Sequence, residues 1–275
     1  MKALQKLARS RRRWLAGLVI ALTAVLGATD VSKRDRFDTV VIDPGHGGQD
    51  SGARGPGGAL EKDLVLGVSV DLAKRLRARG LRVVMTRDAD VFVPLERRTA
   101  VANDARGDLF LSIHANATED TDVGGSETYF LALDASDAGA AEVAARENRA
   151  FAVAEETDID AVSDPFIALL GDLIATEYLR ESSEAARLIQ TELASVGALR
   201  SRGVKQALFV VLAGVQMPAA LVEIGFVTNA QDERTLTNTR GSRRLVDALE
   251  RAVMAFADRY DERRGASTPA KTDRP

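Results

Sequence analysis

The chain of 275 residues has two histidines, His46 and His114. Each follows a run that reads as a buried strand, Val40-Val41-Ile42-Asp43 before the first and Leu109-Phe110-Leu111-Ser112-Ile113 before the second. In a parallel sheet the carboxyl ends of the strands share one edge, so both imidazoles would project into one crevice. A single histidine at a strand end is most often a structural hydrogen-bonding residue; the pair, with Gly45, Gly47 and Gly48 permitting close approach, points to a metal. There is no cysteine, so disulfides and thiolate metal sites are both excluded. Any metal must be held by His, Asp or Glu. Two histidines and one carboxylate leave a coordination position open, as a catalytic zinc requires.

Of the 40 acidic residues, two stand apart. Glu61 opens a helical pattern beside a Gly-rich stretch, where an acid is also favoured simply by the helix dipole. Glu223 interrupts the apolar run Ala219-Ala220-Leu221-Val222-Glu223-Ile224-Gly225-Phe226, and an ionised carboxylate is costly to bury unless something pairs with it. The chemistry needs one ionised ligand and one base that takes a proton from water and hands it to a leaving nitrogen. Glu61 is assigned the first role and Glu223 the second, a division that spacing alone leaves open.

The elements that must position these residues alternate. Thr39 to Asp43 reads as a strand, Leu64, Val68, Leu72 and Leu76 recur at helical spacing until Gly80, and Leu81 to Thr86 reads as a strand. A helix follows over Glu96 to Ala105, then strands over Asp108 to His114 and Gly125 to Ala132. The alternation predicts a single α/β domain, residues 39–260, with a mainly parallel sheet flanked by helices on both faces. Residues 133–182 break the pattern as a helical insertion: a helix over Ala138 to Glu155, an acidic linker over Glu156 to Asp164, and an apolar helical piece over Phe166 to Tyr178. Beyond it the spacing predicts a helix over Ser183 to Val196, strands over Ala207 to Leu212 and Ala219 to Phe226, and a closing helix from Ser242 to about Arg259. The polar tail, 263–275, with two prolines, is expected to be disordered.

All six charged residues before Asp30 are basic, and the remainder carries 31 basic against 40 acidic residues, a net charge of −9. A generic nucleic-acid binder is not expected from that balance. The basic stretch runs into the apolar Trp14 to Ala28, which is the order of an export signal over residues 1–28 and is short for a membrane span. Ser10-Arg11-Arg12-Arg13-Trp14-Leu15 also resembles a twin-arginine signal. The general secretory route and an uncleaved anchor are the alternatives.

Taken together, Ile42-Asp43-Pro44-Gly45-His46-Gly47-Gly48, Glu61-Lys62, Ser112-Ile113-His114-Ala115-Asn116 and Val222-Glu223-Ile224-Gly225-Phe226 resemble, in order and context, the amidase_3 family of N-acetylmuramoyl-L-alanine amidases. The resemblance spans about residues 39–260. It implies that His46, Glu61 and His114 bind Zn2+, that Glu223 is the catalytic glutamate, and that the bond cut joins the lactyl group of N-acetylmuramic acid to L-alanine in peptidoglycan. Arg98 and Asn116 are then expected to position substrate, and Asn229 to cap a helix. The insertion is similar to that of the autoinhibited cell-division amidases of Gram-negative bacteria, which implies a role in septum splitting or wall turnover in the periplasm. It also implies that Glu147 occupies the metal until a LytM-domain activator protein moves its helix; Phe166 to Leu170 with Leu173 and Ile174 would be the docking face. Glu147 as a solvated charge on an Ala-rich helix is the plainer reading. Two other functions use the same residues: a zinc peptidase cutting within the stem peptide, and a peptidoglycan-binding module without activity.

Overall fold

The structure, a computed structural model, describes residues 36–155 and 176–265. The expected signal, the acidic linker, the apolar piece from Phe166 to Ile174 and most of the polar tail lie outside them. The described residues form six strands: β1 (Thr39–Pro44), β2 (Arg82–Met85), β3 (Leu109–Asn116), β4 (Ser126–Leu131), β5 (Ser201–Ala207) and β6 (Ala219–Phe226). Between them run α1 (Glu61–Ala78), α2 (Leu95–Ala105), α3 (Ala138–Glu155), α4 (Thr176–Ser195) and the short α5 (Val210–Ala213); α6 (Ala230–Thr237) and α7 (Thr239–Arg263) close the chain.

The strands form one sheet in the order β2-β1-β3-β6-β4-β5. β1 is parallel to β2 and β3, β3 to β6, and β4 to β5; only β4 against β6 is antiparallel. Every residue of β1, β3 and β6 is buried, as expected for central strands covered on both faces. Side chains alternate between those faces. Val40 and Ile42 of β1, Leu109, Leu111 and Ile113 of β3, and Ala220, Val222 and Ile224 of β6 meet Val65, Val68, Leu72 and Leu76 of α1, Ala186 and Ile189 of α4, and Leu249 and Phe256 of α7. Val41, Phe110 and Leu221 face the other way, towards Ala102 of α2, Val143 and Ala144 of α3, and Val211 and Leu212 of α5. Burying each large aliphatic side chain contributes roughly 1.5–3 kcal/mol, so the two layers tie the helices to the sheet.

The mainly parallel α/β architecture is the expected one, but one strand lies elsewhere. The apolar run from Ala207 to Leu212 is not a strand; β5 ends at Ala207, and Val210–Ala213 is a helical turn that places Phe209, Val211 and Leu212 in the second core layer. β5 itself is an edge strand, largely half-buried, whose polar sequence SRGVKQA gives no apolar alternation. The structured segment falls into a unit Phe37–Tyr260 and a second unit, of whose described residues Arg36 and Asp261 form an ion pair at 3.5 Å.

Candidate metal centre

β1 ends at Pro44 and delivers His46 from a loop, whereas His114 lies within β3. Gly45 is required there, because a Cβ on it would fall inside the His114 ring. Gly52, at φ +61°, is required equally: a Cβ would stand 2.6 Å from Glu61 Oε2 and 2.7 Å from His46 Cδ2. His46 has a left-handed φ of 57°, uncommon for a residue with a side chain. Two buried arginines hold that backbone in place. Arg98 donates to Asp43 Oδ1 at 2.8 Å and to the carbonyls of Pro44 and His46 at 2.6 and 2.8 Å. Arg87 donates to the carbonyls of Pro44, Gly45 and Lys62 at 3.1, 2.7 and 2.9 Å.

Glu61 occupies the first turn of α1, and its carboxylate turns inward. Oε2 accepts from the Ala53 amide and Oε1 from the Ala115 amide, each at 3.0 Å. These bonds fix the carboxylate between the two imidazoles, with Oε1 3.1 Å from His46 Nε2 and 3.2 Å from His114 Nδ1. α3 adds Glu147, whose Oε2 is 3.4 Å from His46 Nε2 and 3.0 Å from His114 Nδ1. The four side chains each offer a ligand atom, all within 4.8 Å of one another.

The donor set fits a metal ion. His46 Nε2 and Glu147 Oε2 are buried and, although 3.0–3.4 Å from other atoms of the cluster, neither is aligned for a hydrogen bond among the described residues; atoms so placed are expensive unless something coordinates them. Asp50 accepts from His46 Nδ1 at 2.8 Å, which leaves Nε2 to face the cluster; a carboxylate behind a ligating histidine sets its tautomer and direction. Burial disfavours charge on His114, but Glu147 and Glu61 lift it to about 10. His46 is raised further, Glu61, Asp50 and Glu147 overcoming its burial. Glu61, despite burial, is brought to about 2 by the two imidazoles. Two imidazoliums thus face two carboxylates, and a divalent cation would replace the two protons without changing the charge of the site.

Glu223 lies on β6 in register with His114 on β3. It is fully buried, and neither carboxylate oxygen has a hydrogen-bond partner among the described residues. Burial, then the Glu147 charge, push its carboxyl well above the ordinary carboxylate range. The structure therefore brings together all five residues singled out in the sequence, Glu147 included.

Other residues had no signal in the sequence. Arg146 donates to Glu147 Oε1 at 3.0 Å, to the Ala117 carbonyl and to Asn116 Oδ1, both at 2.7 Å, and its Nη2 is 3.9 Å from Glu223 Oε1. Asn148 bonds the Leu208 carbonyl and the Val210 amide at 2.8 and 2.9 Å, so Arg146-Glu147-Asn148 latches α3 across the site. The cavity left beside His46, Asp50, His114 and Glu147 is about 20 Å³, room for about one water molecule. Asn229 caps α6 as expected, accepting from the Gln231 and Asp232 amides. Arg98 holds the β1 loop, and Asn116 accepts from Arg146.

Comparison with known proteins agrees with this architecture. Residues 40–255 match the profile of Amidase_3, N-acetylmuramoyl-L-alanine amidase. The amidase AmiA of Escherichia coli (strain K12) is 35% identical over 231 residues, covering 83% of this chain and 79% of that protein. AmiC of Neisseria meningitidis serogroup B is 33% identical over 85% of this chain, which spans 56% of that longer protein. Among solved structures, the amidase AmiC2 of Nostoc punctiforme superposes with a TM-score of 0.60 at 30% identity, covering 80% of this chain and 97% of that one. The family match runs through the strands and loops that carry His46, Glu61, His114 and Glu223, and the chain belongs to the Amidase_3 family, the N-acetylmuramoyl-L-alanine amidases, hydrolases of an amide bond in peptidoglycan.

Proposed function

We propose that the chain is a zinc-dependent amidase held off by its own helix α3, with His46, Glu61 and His114 as the resident ligands and Glu223 as the catalytic residue. The observation that carries the reading is the convergence of ligand atoms from His46, Glu61, His114 and Glu147 within 4.8 Å. Nitrogen and carboxylate donors in an enclosed site suit zinc, and the resident three leave one position open. Zinc bound there would polarise the lactyl carbonyl and make water a stronger nucleophile.

The chain's own residues do the rest. Glu61 keeps the negative charge at the ligand position because two backbone amides and two imidazoles stabilise it. Glu223, whose buried carboxyl has a raised proton affinity, takes a proton from the attacking water as its oxygen bonds to the carbonyl carbon. It then delivers that proton to the alanine nitrogen as the C–N bond breaks. Glu147 enters the same cluster as a fourth donor, so its carboxylate takes the position that water and substrate need. The cavity of about 20 Å³ is far below the several hundred Å³ a ligand site commonly provides.

On this reading α3 is a lid, and its displacement by a LytM-domain activator switches the enzyme on. Residues 1–28 export the chain to the periplasm, by the twin-arginine or the general route, where it acts in septum splitting or wall turnover. Residues 39–260 form the catalytic domain and 133–182 its regulatory insertion. Metal analysis of the purified full chain tests the centre: about one zinc per chain is expected, lost on His46→Ala or His114→Ala. Chain folded but devoid of metal after incubation with zinc contradicts it.

A further inference from the structure

Across the face of the sheet that carries His114 and Glu223, the row of polar side chains continues to the edge. Glu127 on β4 is the register partner of Glu223, and beyond it β5 contributes Arg202 and Lys205. Glu127 is buried and accepts from the Tyr129 hydroxyl and from Arg202 Nε, with Lys205 Nζ 3.1 Å from its second oxygen. One carboxylate thus anchors two cations. Lys205 also reaches the exposed Asp137 at 3.5 Å, so the four charges balance and Arg202, bonded to Glu127 through Nε, is the cation with donors to spare. Its guanidinium lies over the Phe226 ring at 5.2 Å, and its outer nitrogens have no hydrogen-bond partner among the described residues. The side chain is 27% exposed, to a groove of about 780 Å³ that runs from Asn116 and Arg146, beside Glu223, to this edge.

We infer that Arg202 and Lys205 form a subsite for a carboxylate on the peptide half of the substrate, Glu127 and Phe226 holding the guanidinium in place beside the groove. The inference rests on the amidase reading for the identity of the ligand. Before cleavage the peptide half of the substrate carries at least its terminal carboxylate, whereas the glycan half presents hydroxyls, acetamides and the lactyl amide. A fixed guanidinium binds a carboxylate through paired hydrogen bonds. The groove has the size of a ligand site. Glu119 and Glu142 line it too, but both are exposed.

The test is fluorescence anisotropy with the full chain and two dye-labelled synthetic tripeptides of alanine, γ-linked glutamate and lysine, one with free carboxylates and one fully amidated. The unaltered chain is expected to bind the acidic peptide about tenfold more tightly, and Arg202→Gln to bring the preference close to unity, as loss of one charge-assisted pair implies. Equal binding of the two peptides, binding of neither at millimolar concentration, or a preference that survives Arg202→Gln overturns the subsite. The first comparison needs no variant, so misfolding cannot obscure it. Release of peptide from intact sacculi by the full chain carrying Glu147→Ala is scored separately: its absence with the preference intact faults the amidase reading and leaves the subsite standing.

Discussion

Glu223 stands directly across the β3–β6 ladder from His114, fully buried and with neither oxygen hydrogen-bonded among the described residues. A carboxylate in that position adds nothing to the sheet that Leu or Val would not, and its cost is offset only if it acts. Glu223→Gln is therefore expected to retain the fold and the metal while losing turnover by about 10²–10⁴-fold, the range for removal of a general acid–base group. Metal content and rate, measured on one preparation with α3 displaced, check this; loss of metal together with rate would make Glu223 a ligand instead.

Removing the lid carboxylate should have the opposite effect. Glu147→Ala deletes one of the four clustered donors and the ion pair with Arg146. Basal hydrolysis should rise by about tenfold or more, since the closed state loses contacts that the open state never had, while zinc is held less tightly. Initial rates on soluble muropeptides measure it. An unchanged or lower rate would show that Glu147 does not restrain the enzyme.

Metal binding should be linked to protons. With His114 at about 10 and His46 higher still, both rings are protonated at neutral pH before the ion arrives. Zinc uptake should then release about two protons, and its apparent affinity should increase with pH. Titration calorimetry in buffers of different ionisation heat counts them; a release near zero contradicts the ligand assignment of the two histidines.

The loop that presents His46 depends on the buried pair of Asp43 and Arg98. Asp43→Asn leaves the guanidinium without its charge partner and is expected to cost about 3–5 kcal/mol. Burial pulls the Asp43 carboxyl upward, but Arg98 and the Thr86 hydroxyl bring it below the ordinary value. A lowered folded pKa means a contribution that is present above the unfolded value of about 3.9 and is lost as pH falls through the lower folded value. Urea unfolding near neutrality and again in acid should show the gap between the unaltered chain and Asp43→Asn closing at the acid end; a constant gap contradicts the linkage.

The central strands and the candidate residues His46, His114 and Glu223 were legible because their signals are local, whereas Glu61, at a helix start, was set apart from an ordinary N-terminal acid only by the family resemblance. An apolar run of strand length ending at a histidine, or broken by one glutamate, is readable without tertiary information, and Ala219–Phe226 and Ala138–Glu155 have the bounds expected. β5 was not, because an edge strand with polar residues lacks the alternation, while the apolar run after it buries Phe209 in a helical turn. Arg87, Arg98 and Arg146 form hydrogen bonds to backbone carbonyls and side chains up to 55 residues away, partnerships that leave no spacing in the chain. Asp50 lies four residues from His46, a spacing that in a loop points nowhere until the loop is folded.

The most direct test of the account is mass spectrometry of purified muropeptides after incubation with three full-length, zinc-loaded proteins: the unaltered chain, Glu147→Ala, and Glu147→Ala combined with Glu223→Ala. The account predicts little free stem peptide from the first, abundant release from the second with the lactyl amide as the bond cut, and none from the third. Cleavage within the peptide, leaving that amide intact, or equal release by all three would contradict it.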